Sequence, residues 1–181
     1  MTDRFHEATT ETLHRAGWRE RRRVDVELWR AAFAGEHTMH AAAEEFLAEF
    51  GGLEVSLGGR LVNRPGIEFD PLHGEDDGGR LAGWGADLGR TLFPVGAFVA
   101  GHPFLLAVDE TAELYHVGES IASYGLLPGA LDTLIRGVPR PLFEEPGSAW
   151  KAKVPKHQRQ RARRTVRTAY RSGPGGSGPR M

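Results

Sequence analysis

The sequence predicts an α+β fold: an antiparallel-rich sheet packed with N-terminal helices and one later helix, followed by a basic tail. Three observations carry that prediction. Apolar residues recur at helical spacing as far as Phe50, the period drops towards two after Gly52, and Lys151–Met181 holds ten basic residues and no acidic one. Short strands joined by short turns favour antiparallel pairing, because a parallel crossover needs about a dozen residues or more.

Taken in order, Asp3 can cap a first helix through Phe5, Ala8, Leu13 and Ala16, with Gly17 as its stop. The basic connector Arg19–Arg23 leads to Asp25, a cap for a second helix containing Val26, Leu28, Trp29, Ala32 and Phe33, which Gly35 ends. A third helix over Met39–Phe50 aligns Ala43, Phe46, Leu47 and Phe50 before Gly51-Gly52. Leu53, Val55 and Leu57 then alternate with polar residues as a half-buried strand does, and Gly58-Gly59 reads as a turn. Leu61-Val62 and Ile67–Phe69 are further short strands. Polar, glycine-rich Asp70–Gly79 reads as an exposed loop, and Leu81–Leu92 as a short helix around Trp84 and Leu88. Val95–Ala100, Phe104–Val108 and Glu113–Val117 are consecutive strands, and a last helix from Pro128 buries Leu131, Leu134 and Ile135 before Gly137.

The 181 residues suit one domain, placed at residues 1–140, with residues 141–181 as a linker and basic tail. The formal net charge of −1 conceals a division. Of 23 basic residues ten lie in the tail, so thirteen face 24 acidic ones in Met1–Trp150, which carries −11 against +10. Absence of cysteine excludes disulfides, thiolate metal sites and cysteine nucleophiles. Asp3, Arg4, Glu7 and Glu11 interrupt the first fifteen residues, so no secretory signal is expected. The uncharged stretch Thr91–Val108 is broken by Pro94, Gly96, Gly101 and Pro103; it reads as strands and a turn, with no membrane contact, and the cytoplasm is the expected compartment.

The clearest constellation is acidic. Glu68, Asp70, Glu75, Asp76, Asp77 and Asp87 surround a single basic residue, Arg80. The plain reading is a hydrated loop; the sharper one is a docking face that attracts a cationic partner. Asp70, His73, Glu75 and Asp77 miss the spacing of an EF-hand, and no HExxH occurs, so neither a metal nor a cofactor is expected. Ser120, His116 and Asp109 can be drawn as a hydrolase triad, although no GxSxG elbow accompanies them. Gly83, Gly85 and Gly89 are spaced GxGxxxG, which fits turns and close packing better than a phosphate loop. The tail can neutralise nucleic-acid phosphates, but it carries no zinc-finger, RRM or helix-turn-helix pattern, and SGPGGSGP at Ser172–Pro179 is linker-like.

Seven strings in fixed order add a family. AGW at Ala16–Trp18, RRVD at Arg22–Asp25, AAEEFLAEFGGL at Ala42–Leu53, FDP at Phe69–Pro71, LFPVG at Leu92–Gly96, LLAVDETAELYHVG at Leu105–Gly118 and ALDTLIRG at Ala130–Gly137 together resemble the SUKH superfamily, most closely its SUKH-3 group. The resemblance implies an α+β immunity protein of bacterial polymorphic toxin systems. Such a protein has no catalytic residues; it binds and neutralises a cognate toxin domain, often a nuclease or nucleic-acid deaminase. Joined to the charge pattern, it makes Glu68, Asp70, Glu75, Asp76, Asp77 and Asp87 the expected toxin-binding residues, with Trp84 either an aromatic anchor among them or core. A nucleic-acid-binding role for the tail and a small hydrolase are the alternatives.

Overall fold

A computed structural model describes residues 4–35, 37–57, 65–99 and 104–137. The chain divides into two units, Met1–Pro146 and Gly147–Met181, and every described residue belongs to the first. Its elements run α1 (Glu7–Arg15), α2 (Glu27–Ala32), α3 (Ala41–Phe50), β1 (Glu54–Val55), β2 (Ile67–Glu68), a 3-10 helix (Pro71–Asp77), α4 (Gly78–Leu88), β3 (Phe93–Phe98), β4 (Leu105–Val108), β5 (Glu113–Val117), β6 (Ile121–Leu126) and α5 (Gly129–Arg136). The predicted α+β architecture is therefore present.

Histidine begins two of the helices. His6 caps α1 by accepting from the Ala8 N–H at 3.2 Å, while Asp3 lies outside the described residues. His40 caps α3 through Nδ1, which accepts from the Ala43 N–H at 3.2 Å. Its Nε2 then carries the proton and donates to the Val108 carbonyl at 3.1 Å, so one ring both starts a helix and ties it to the sheet. Asp25 accepts from the Glu27 N–H at 3.0 Å at the head of α2, as its position suggests. At the other end of α3 the Arg22 guanidinium donates to the Glu49 and Gly51 carbonyls at 2.7 and 2.8 Å, supplying partners that a helix C-terminus lacks.

All six strands pair antiparallel with their sequence neighbours, in the order β1-β2-β3-β4-β5-β6. The uncharged stretch from Thr91 becomes β3 and β4, both buried; its middle, residues 100–103, lies outside the described residues, as do Gly58-Gly59 and Leu61-Val62. Gly96 marks a register shift in β3, and a Cβ there would stand 2.3 Å from the Glu68 carbonyl oxygen, so only glycine fits against β2.

Two departures from expectation matter. The sequence reading assigns no strand after Val117, yet Ile121–Leu126 forms β6, bent by Gly125 at φ 96° and by a register shift opposite Leu114 and Tyr115. Asp70–Gly79 is not a loop: it forms the 3-10 helix and opens α4. Pro71 and Gly74 are buried within it, and a Cβ on Gly74 would sit 2.7 Å from Pro94 Cβ, so close backbone packing on β3 holds the otherwise polar segment.

The sheet is covered on both faces. Phe69, Phe93, Val95, Leu106, Val108 and Leu114 join the residues of α1, α3 and α5 in one core. Ala97, Leu105, Ala107, Tyr115, Val117 and Ile121 pack with Leu81 and Trp84 of α4 in another.

Candidate functional site

The acidic residues are carried by β2, the 3-10 helix and α4. Glu68 follows Ile67 on β2, so while Ile67 points into the first core, Glu68 faces the layer of the 3-10 helix and its Oε2 lies 2.6 Å from His73 Nε2. Asp70 caps the 3-10 helix, accepting from the Leu72 N–H at 3.0 Å, with Pro71 as the first helical residue. Glu75 and Asp76 are exposed on that helix. Asp77 is half-buried and pairs with Arg80 at 3.0 Å. Burial raises the Asp77 pKa and Asp76 adds to the rise, against the lowering effect of Arg80.

Five of the six expected carboxylates therefore lie between Glu68 and Asp77, and the nearest arginine in sequence, Arg80 on α4, is committed to Asp77. Asp87 stands apart. It is exposed in the last turn of α4, roughly 15 Å along the axis from Asp77 at helical rise, beyond the screening length of about 8 Å at physiological salt. Glu54 is absent from the sequence-derived set, but it is exposed and lies directly across from Glu68 in the β1-β2 pair. The alternation of Leu53 and Val55 around it is the signal that places it there. Leu72, 44% exposed, is an apolar residue within the acidic helix.

Of the two places the sequence leaves open for Trp84, anchor or core, the side chain occupies the core. Its ring is 4% exposed, packs in the second core, and its Nε1–H points at the Gly118 carbonyl at 3.4 Å. The glycine-rich stretch around it is helix: Gly85 leaves no room for a side chain beside the Arg90 carbonyl, and Gly89 closes α4 at φ 63°.

The residues of the hydrolase alternative are held apart by β5. Asp109, fully buried where β4 ends, accepts from the Thr111 N–H and hydroxyl at 2.8 Å, the Glu113 N–H at 2.9 Å and the Tyr115 hydroxyl at 3.2 Å. Burial, with the Asp109 and Glu113 charges, pushes the Tyr115 hydroxyl pKa up. Ser120 lies in the turn beyond the opposite end of β5. His116 stacks between neither of them: its ring meets Phe104 at 4.6 Å and Phe98 at 5.8 Å, and burial lowers its pKa. Among the described residues no group of three or more histidine, aspartate or glutamate side chains converges as a metal site, and no helix is long and apolar enough to cross a membrane.

A family model described as SUKH-3 immunity protein matches residues 5–137, spanning α1 to the stop of α5. The chain belongs to the SUKH-3 immunity protein family. No curated protein and no solved structure matches it. Membership implies toxin immunity, a toxin as partner and a role that is not enzymatic. Within this SUKH-3 chain the matched residues hold both cores and the acidic segment, while the basic tail lies beyond the match and outside the described residues.

Proposed function

We propose that this SUKH-3 protein neutralises a cognate toxin of a bacterial polymorphic toxin system by laying its acidic 3-10 helix on the toxin's cationic surface. The observation that carries the reading is the placing of exposed Glu75 and Asp76, with Asp77, on a 3-10 helix that is anchored through buried Pro71 and Gly74 and preceded by Glu68 on β2 and the capping Asp70. A nuclease or nucleic-acid deaminase needs a cationic face to hold phosphate, and fixed carboxylates compete for that face. Their attraction also speeds encounter and weakens with salt. Leu72 supplies apolar contact within the charged surface, the role Trp84 cannot take from the interior. The cytoplasm is the proposed compartment and residues 1–140 the proposed binding domain.

The test begins with affinity capture by the tagged full chain from the source cells, followed by co-expression with the captured toxin. Combined Glu75→Gln and Asp76→Asn substitutions should weaken binding at least tenfold at low salt and flatten its salt dependence. Unchanged affinity and salt slope would remove this helix from the interface. Deleting Lys151–Met181 should leave protection intact; loss of protection would move the interface to the tail.

A further inference from the structure

An apolar strip on α2 is used neither by the core nor by the acidic helix. The rest of this six-residue helix is engaged. Val26 before it and Phe33 after it are buried in the first core, where Phe33 meets Phe93 at 5.2 Å. Half-buried Trp29 presses on the end of α3, and its ring leaves no room for a Cβ on Gly51. Arg30 pairs with Glu27 at 3.1 Å and with Glu44 of α3 at 2.9 Å. What remains faces solvent: Leu28, Ala31 and Ala32 are all exposed, and their i, i+3, i+4 spacing puts them on one face. Leu28, at 84%, is the most exposed large apolar side chain among the described residues.

A lone exposed leucine is ordinary. This one heads a helix face that carries no polar side chain after Glu27, whereas the solvent face of a surface helix is normally polar. The strip also has a neighbour. At their α-carbons α2 and the 3-10 helix come within 8 Å of each other, and the 3-10 helix bears Leu72, 44% exposed, with exposed Glu75 and Asp76. Two adjoining elements thus each present a leucine to solvent, one accompanied by alanines and the other by carboxylates. A partner that lies on the acidic helix meets α2 beside it.

Charge selects what covers the strip. A second copy would bring another acidic helix towards the first, out of a body that carries −11 over Met1–Trp150, and like charges facing each other across an interface are strongly disfavoured. An anionic lipid surface is repelled in the same way. A cationic protein surface is attracted by the acidic helix and can cover the strip with an apolar side chain. We propose that α2 is the apolar half of the toxin interface: Leu28, with Ala31 and Ala32 beside it, receives an apolar side chain of the toxin that lysine or arginine residues flank, while those cations meet Glu75 and Asp76. This role depends on the acidic-helix reading and adds the partner's chemistry to it. The carboxylates speed encounter and set the salt dependence; the strip slows dissociation and is indifferent to salt.

The test is a nuclear magnetic resonance titration of the full chain with an amphipathic helical peptide of leucine and lysine, oligolysine of equal charge serving as the charge-only control. The amphipathic peptide should give saturable shifts in the amides of α2 and the 3-10 helix together; oligolysine should bind about tenfold more weakly and shift the 3-10 helix alone. Leu28→Ser should weaken the amphipathic peptide about tenfold at low and high salt alike and leave oligolysine unaffected. Thermal unfolding of that variant should match the parent, because the side chain is exposed. Glu75→Gln with Asp76→Asn should weaken both peptides at low salt. Equal binding of the two peptides, shifts that miss α2, or an affinity that Leu28→Ser leaves unaltered would overturn the role of α2 while the acidic helix stands. Binding of both peptides that ignores the carboxylate substitutions would remove the acidic helix and, with it, the shared interface. A full chain that sediments as a dimer, and that Leu28→Ser converts to monomer, would give the strip to a second copy and overturn the proposal.

Discussion

The two faces of the sheet are closed by different means. Under α1, α3 and α5 the core is built on phenylalanine: Phe33 meets Phe93 at 5.2 Å, and Phe46 meets Phe69 at 5.2 Å and Phe50 at 5.1 Å. Under the 3-10 helix and α4 the aromatic residues are Trp84 and Tyr115, each with a polar atom directed at a partner, Gly118 and Asp109. Ring packing dominates the first side, which also has directional bonds, from Trp18 Nε1–H to Glu49 at 3.0 Å and from His40 to the Val108 carbonyl at 3.1 Å; on the second side each aromatic residue makes one. The difference teaches how a polar segment is held with few apolar side chains of its own: Gly74 packs on Pro94, and Trp84 of the following helix both packs on the sheet and donates to Gly118.

The comparison is tested most severely by Phe93→Ala. Phe93 is fully buried, and its truncation should cost about 3–5 kcal/mol in a denaturant titration; a loss below about 1 kcal/mol would break the claim that shape carries this face. Next, Tyr115→Phe keeps the ring and removes the hydroxyl donor to Asp109. A loss of about 1.5–3 kcal/mol is expected for a bond to a buried carboxylate, and no loss in thermal unfolding would show that packing alone holds Tyr115 in this core.

A smaller effect concerns His116, whose pKa burial lowers from 6.5. Above that pH both states are neutral. As pH falls from 6.5 towards the lower folded value, the unfolded chain takes the proton first, so stability declines across that window. Asp77 has a raised pKa and acts in the carboxylate range with the opposite slope, stability falling as pH rises from 3.8 through its folded value. Urea titrations at pH 7.5 and 5.5 should show a decline that His116→Phe removes; an equal decline in the variant would assign it elsewhere. Smallest of all, Glu75→Gln with Asp76→Asn should move stability by no more than about 0.5 kcal/mol, because both are exposed. A larger change in thermal unfolding would mean that these carboxylates hold the fold as well as the proposed interface.

Legibility in the sequence followed the same division. The phenylalanine stripe of α3 and the alternation at Leu53 and Val55 announce their elements because each follows one period. The 3-10 helix does not: it is held by what Gly74 lacks, and a glycine's closeness to Pro94 is a tertiary fact. β6 carries Ser123 and Gly125 in place of a clean alternation, so its pairing with β5 is visible only once β5 is placed. At the candidate site the carboxylates are evident from composition, but their mounting is not. Trp84 illustrates the limit, since a tryptophan in a glycine-rich acidic neighbourhood fits an anchor or a core residue until α4 is seen to turn it inward. Glu54 enters only through its register with Glu68.

The uninterrupted strand order bears on how quickly the chain becomes useful. Each strand bonds the one before it, so every new pairing closes a loop no longer than one local excursion, the longest being the 3-10 helix and α4 between Glu68 and Phe93. Loop-closure entropy is met in small instalments, and topologies rich in near-neighbour contacts fold faster than those that await distant partners. In a protein of toxin immunity the sheet can therefore assemble without awaiting a distant strand, while α1 is held only once α5 is in place, where Asp132 accepts from the His6 N–H at 2.9 Å.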